Sequence, residues 1–145
     1  RYFFERGDKL LATLRLGSPL TVMMIDIDYL KKINDGYGHD VGDLVIKNIA
    51  KLLKKHFPDD IVARIGGEEF AIISKSPKHI TSSDHINAFR QIVEDEKIQL
   101  NKRLLQYTCS IGVCKVVGED LDAMLIQADK NLYKAKEAGK NQVHG

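Results

Sequence analysis

With 145 residues, 43% of them hydrophobic and 29% charged, the chain is long enough for one substantial core and too short for several domains. Its formal net charge of +2 is too small to argue for nucleic acid. No apolar stretch approaches the length of a membrane span or has the form of a signal peptide, and there are no internal repeats, linkers or low-complexity segments.

In chain order, Phe3 to Leu16 reads as a helix with Phe4, Leu11 and Leu14 inward, ended by Gly17-Ser18-Pro19. Leu20 to Ile27 is an apolar, partly β-branched run of strand length. A short helix around Tyr29 to Ile33 follows, and Gly36 and Gly38 mark a turn. A longer helix from about Asp40 to His56 builds its inner face from Val41, Val45, Ile49, Leu52 and Leu53. Lys47, Lys51, Lys54 and Lys55, at helical spacing opposite that stripe, read as a solvated face. Ile61, Val62 and Ile65 before Gly66-Gly67, and Phe70 to Ile73 after it, predict two strands joined by a tight hairpin, because only glycine takes positive φ without steric cost.

A weaker helix from Ser83 to Glu96 places Ile86, Phe89 and Val93 on one side. Leu104 to Val117 contains a further strand, and Leu121 to Ala138 forms a helix packing Leu121, Leu125, Ala128, Leu132 and Ala135, with Gly139 suited to its C-terminal cap. Cys109 and Cys114 lie five apart in that strand, hence on opposite faces, and cannot pair within it. Reduced thiols and a cytoplasmic location follow. This alternation predicts an α+β fold, a central mostly antiparallel sheet with surrounding helices.

Two acidic clusters carry the chemistry. Paired glycines lead into Glu68 and Glu69, and carboxylates at the lip of a glycine turn suit a hard cation and the phosphates it carries; alone, the segment could equally be a surface hairpin. The apolar run ending in Asp26-Ile27-Asp28 places carboxylates at the edge of a sheet, where ligands of α/β folds sit. In extended geometry Asp26 and Asp28 share a face, and they diverge if the chain leaves the strand at Ile27. Asp28 reads either as part of that site or as a cap on the next helix. For Asp26, between two isoleucines, an uncompensated charge is costly, which favours a metal role.

Together these stretches resemble the GGDEF family of diguanylate cyclases. The blocks are Pro19-Leu20, the run from Asp26 through Gly38 to Asp43, Ala63 to Phe70, Ser110 to Val113, and Ala128-Asp129 with Leu132 to Lys136 and Gly139 to Asn141. They occur in the family's order and span nearly all of residues 1–145, which form one such domain. The family's usual opening stretch, Asp-x-Leu-Thr-Gly-Leu-x-Asn, does not occur. The first residues, Arg1 to Phe4, are similar to the segment just after it, so the chain reads as a catalytic domain cut from something longer.

The resemblance implies a palm-like sheet similar to that of class III nucleotidyl cyclases. It also implies condensation of two GTP into cyclic di-GMP and pyrophosphate by a nucleotidyltransferase of bacterial signalling. It implies Mg²⁺, for which Mn²⁺ can substitute, held by the Asp26 carboxylate, the Ile27 carbonyl and Glu68, with Glu69 in support. Glu68 would also help deprotonate the attacking hydroxyl. Asn34 and Asp43 match guanine-contacting positions, His39 lies on the substrate side, and Lys31, Lys136 and Lys140 match phosphate-touching ones. Position 140 is more usually arginine, whose two-pronged contact lysine cannot form. Asp129 is expected to serve structure.

Two rivals follow from the same resemblance. One is a catalytically weak module that binds GTP or cyclic di-GMP and regulates a partner. The other is a cyclase with one adenine in its product, against which Asp43 argues. Since one chain offers one set of guanine-binding residues and the product holds two guanosines, two copies are expected to face each other as a homodimer. Nucleic acid and direct membrane contact are not expected, and any membrane tether would belong to a longer parent. Many relatives carry an inhibitory Arg-x-x-Asp site that binds product. Here the corresponding stretch is Phe57-Pro58-Asp59-Asp60, so the aspartate remains while phenylalanine, able to stack on a purine, replaces the arginine.

Overall fold

The computed structural model describes residues 20–115 and 120–145. The helix expected over Phe3 to Leu16 lies outside the described residues. Five strands, β1 (Thr21–Ile27), β2 (Ile61–Arg64), β3 (Glu69–Ser74), β6 (Cys109–Lys115) and β7 (Val143–His144), form one sheet in the order β2-β3-β1-β6-β7. All its pairings are antiparallel except the last, between β6 and β7. A separate ribbon joins β4 (Ile98–Gln99) to β5 (Leu104–Leu105). The helices are α1 (Leu30–Tyr37), α2 (His39–His56), α3 (Lys78–Thr81), α4 (Asp84–Asp95) and α5 (Leu121–Glu137).

The central strand β1 is buried along its whole length, and its alternating residues feed two cores. Met23, Ile25 and Ile27 join Phe70, Ile72, Cys109 and Ile111 beneath α1, α2 and α4, where Val45, Ile49, Leu53, Ile86 and Phe89 pack. Val22 and Met24 join Ala71, Ile73 and Cys114 beneath Leu121, Met124, Ala128 and Leu132 of α5. The two cysteines therefore sit on opposite faces of β6, buried and reduced. Between β6 and α5 the approach is tight at Gly112, where an added Cβ would lie 2.1 Å from both the Ala128 carbonyl oxygen and the Leu132 nitrogen. Sheet and helix are in direct backbone contact there.

Three local expectations are corrected. Gly36 does not break the chain: α1 continues through it to Tyr37, and Gly38 alone, at φ 94°, turns α1 into α2. Gly66 and Gly67 are not among the positive-φ glycines, and the β2–β3 connection is a four-residue loop rather than a tight two-residue turn. Its shape is held by Arg64, whose guanidinium donates to the carbonyls of Gly66 (3.1 Å) and Gly67 (2.7 Å). Finally, Phe57 cannot stack on a purine, because it is 2% exposed and packed among His56, His79, His85 and Phe89.

Candidate active site

Register brings the two acidic clusters together. On β1, Asp26 shares the α5 face with Val22 and Met24. Its partner across the β1–β3 ladder is Glu69, and the Ile27 N–H donates to the Glu68 carbonyl at 3.3 Å. The helix α5 completes the group by bringing Lys136 onto the Asp26 carboxylate as a hydrogen-bonded ion pair. Thus Asp26, Glu68, Glu69 and Lys136 converge, the lysine on the Asp26 carboxylate.

The electrostatics follow from that convergence. Burial and the Asp26 charge raise the Glu68 pKa, reinforced by a hydrogen bond with Asp26 and opposed by Lys136. Burial and Asp26, with Asp129 adding to the repulsion, raise Glu69. Asp129, expected to serve structure, thus bears on the site's charge. For Lys136, burial disfavours the ammonium, but Asp26, Glu68 and Glu69 raise its pKa overall. One atom is left over: Asp26 Oδ1 is buried and has no hydrogen-bond partner among the described residues. Such an orphan is costly unless something not made of protein meets it.

That orphan, beside two repelling glutamates, fits a divalent cation. Among the described residues no three His, Cys, Asp or Glu side chains gather closely enough to hold an ion by themselves. A cation here would need further oxygen donors, which a main-chain carbonyl and a nucleotide's phosphates can provide. The glycine loop leaves space for them. A Cβ on Gly67 would meet nothing within 4 Å, and one on Gly66 would meet only Glu69 Cβ, at 3.8 Å. Neither glycine is required by backbone conformation or internal packing, so both keep the lip of the loop bare.

Asp28 takes neither of the roles open to it. The residue preceding α1 is Tyr29, which makes no side-chain cap bond, so Asp28 is not the helix cap. Its buried carboxylate accepts from Ser110 Oγ (2.6 Å), Thr108 Oγ1 (2.7 Å) and the Asn141 N–H (3.0 Å). It ties the end of β1 to β6 and to the turn after α5, while Asp26 is held by Lys136.

The predicted guanine contacts lie on the α1–α2 pair. Gly42 has no side chain because Asn34 fills that space: a Cβ there would fall 1.7 Å from Asn34 Oδ1. Asp43 follows Gly42 and is exposed, so the crossing sets the Asn34 amide beside the turn of α2 that bears Asp43. Lys31 on α1 and His39 at the start of α2 are exposed, and no described contact brings them to the carboxylates. Lys140 lies in the turn after α5, with Nζ 4.2 Å from the centre of the Tyr29 ring. Sequence reasoning assigned no part to Gly42, Arg64 or Tyr29. Gly42 was detectable as a glycine in the middle of a helical pattern; Tyr29 gave no signal.

Comparison with known proteins points to one family and one fold. The family model described as diguanylate cyclase, GGDEF domain, matches residues 1–142. The chain is 36% identical over 137 residues to the probable diguanylate cyclase DgcF of Escherichia coli K12, covering 90% of this chain and 44% of that protein. It is 35% identical over 151 residues to the response regulator PleD of Caulobacter vibrioides, covering 100% of this chain and 33% of that one. The chain thus spans less than half the length of these relatives. Among solved structures, the GGDEF domain of DgcB from Caulobacter crescentus in complex with c-di-GMP superposes with a TM-score of 0.84 at 27% identity, covering 99% of this chain and 85% of that one. The diguanylate cyclase SiaD of Pseudomonas aeruginosa, in complex with its activator SiaC, gives 0.89 at 28%, covering 99% and 56%.

Proposed function

This chain belongs to the GGDEF domain family, and from that premise we propose that it is a diguanylate cyclase domain, joining two GTP molecules into cyclic di-GMP with release of pyrophosphate. The observation that carries this reading is the buried, unpartnered Oδ1 of Asp26, a residue paired with Glu69 on β3 and close enough to Glu68 to raise its pKa. Each 3′-hydroxyl attacks the α-phosphate of the other nucleotide, so the protein's work is positioning and charge neutralisation.

Asp26, the Ile27 carbonyl and Glu68 would hold Mg²⁺, with Glu69 in support. The ion, when bound, supplies Lewis-acid neutralisation of phosphate charge. Glu68 accepts the hydroxyl proton; a carboxylate whose proton affinity is raised by its surroundings is the better base for that task. Asn34 and Asp43 orient guanine, the carboxylate accepting from N1–H and N2–H, which adenine does not offer. Lys31, His39, Lys136 and Lys140 face the sugar and phosphates. The bare Gly66-Gly67 lip admits the triphosphate next to the backbone.

Two copies face each other to form one product, and turnover occurs only in the paired form. Among the described residues no helix is long and apolar enough to cross a membrane. The deciding experiment is incubation with Mg²⁺ and GTP and identification of the product by mass. Cyclic di-GMP, lost in Glu68→Gln, supports the proposal. Tight GTP binding without product, at protein concentrations where dimers are seen by sedimentation, would leave the regulatory module as the correct reading.

A further inference from the structure

Tyr29 stands in a conformation that demands a reason. At φ 59° and ψ 28° it is left-handed, a region that bulky side chains rarely enter. Burial does not explain it, since the residue is 50% exposed, and neither does capping, since it makes no side-chain bond to α1. What its ring does is face cations: Lys140 Nζ lies 4.2 Å from the ring centre and Lys32 Nζ 4.9 Å.

Lys140 is held with the same care. Helix α5 ends in a Schellman motif, the Lys140 N–H reaching the Ala135 carbonyl (3.0 Å) and the Gly139 N–H that of Lys136 (3.3 Å). The chain then stays left-handed through Gly139, Lys140 and Asn141, at φ 120°, 64° and 48°. That run is pinned from two sides. The Asn141 N–H donates to Asp28 Oδ2 at 3.0 Å, and the Asn141 side chain bonds Arg90 and Glu94 of α4, both at 2.8 Å. The backbone of Lys140 is therefore fixed, and only its flexible stem and ammonium remain to be placed. A lysine ammonium is a compact point charge that carries no directional fork of its own.

We propose that Tyr29 is a positioning residue for Lys140, its ring face holding the ammonium where the nucleotide's phosphates arrive. Consecutive residues thus divide the task, Asp28 fixing the turn and Tyr29 the charge it presents. The inference rests on Lys140 being a phosphate contact, and the test separates the two ideas.

Steady-state kinetics and equilibrium binding of a non-hydrolysable GTP analogue are measured on the full-length protein for Tyr29→Asn, Tyr29→Phe, Lys140→Ala and Tyr29→Asn/Lys140→Ala. Asparagine tolerates left-handed backbone but has no ring, so folding is preserved while the platform is removed. Tyr29→Asn should raise KM and the analogue Kd about three- to tenfold with little change in kcat. Tyr29→Phe, which keeps the ring, should restore most of that loss. On the Lys140→Ala background Tyr29→Asn should add nothing. The same penalty on both backgrounds, or no penalty in Tyr29→Asn where Lys140→Ala has one, would overturn the role of Tyr29 alone. No penalty in Lys140→Ala would overturn the phosphate role of Lys140, and with it the proposal.

Discussion

At one end of β3, Glu69 lies opposite Asp26 in a group of carboxylates; at the other, Asp60 lies beside His79, and His56, His79 and His85 pack around Phe57. Both ends bury polar atoms without hydrogen-bond partners among the described residues, Asp26 Oδ1 at the first and both ring nitrogens of His79 at the second. The difference lies in how each is tolerated. Asp26 is beside Lys136 and two further carboxylates, an imbalance that a bound cation would offset. His79 simply stays neutral, its pKa pushed down to about 4 by burial and then by the charges of His85 and Lys78. Its Nε2 is 3.9 Å from Asp60 Oδ2, too far for a hydrogen bond. The two orphans differ because an imidazole can shed its proton and stay neutral, whereas a carboxylate beside a lysine keeps its charge.

The largest effect that tests this contrast is on turnover. Glu68→Gln removes a charge from the repelling group, so the variant should be at least as stable as the parent yet lose about a thousandfold in cyclase activity, roughly 4 kcal/mol of barrier. Near-normal turnover, measured by product formation with Mg²⁺ and GTP, would show that the carboxylate end is not the catalytic one.

Next comes pH, where the two ends should respond in opposite senses. His79 binds its proton less readily folded than unfolded, so its contribution is present above about pH 6.5 and is lost as pH falls toward about 4, worth on the order of 3 kcal/mol. Glu68 and Glu69 bind theirs more readily when folded, so without a cation their contribution is lost as pH rises above the ordinary carboxylate range. Urea unfolding between pH 4 and 7 should show stability rising more steeply with pH in Glu68→Gln and more weakly in His79→Phe. Parallel curves for all three proteins would remove the distinction.

A smaller effect is expected at Gly42. An alanine there would collide only with the movable end of Asn34, and alanine favours a helix over glycine by about 0.5–1 kcal/mol. Gly42→Ala should keep or gain stability while KM for GTP rises about tenfold through the displaced amide. Unchanged KM would detach Asn34 from guanine binding.

The smallest effect is an absence at the histidine end. With Phe57 buried and the Asp60 side chain only 9% exposed beside His79, neither can grip a purine. Cyclic di-GMP should not inhibit non-competitively, and Asp60→Ala should leave product sensitivity unchanged; calorimetry on the Glu68→Gln variant checks it directly. Product binding abolished by Asp60→Ala would reopen that surface as a regulatory site.

What the sequence settled by itself was local and periodic. The 3.6-residue stripes of Val45, Ile49 and Leu53 or of Ile86, Phe89 and Val93 gave helices close to α2 and α4, because burying one face leaves a repeat that no other arrangement explains. The β-branched run before Asp26 gave β1, and the ordered motifs marked Asp26, Glu68, Glu69 and Lys136. Three matters waited for the tertiary structure. Strand register put Glu69 across from Asp26, and register is a property of pairs. Helix crossing explained Gly42 by the Asn34 amide, and close packing explained Gly112 by the backbone of α5, contacts made between elements and not within one. The fate of Asp28 was open because a carboxylate is a cap, a ligand or an anchor according to which donors surround it. Those donors, Thr108, Ser110 and Asn141, come from segments about 80 residues and more away, and only folding brings them near.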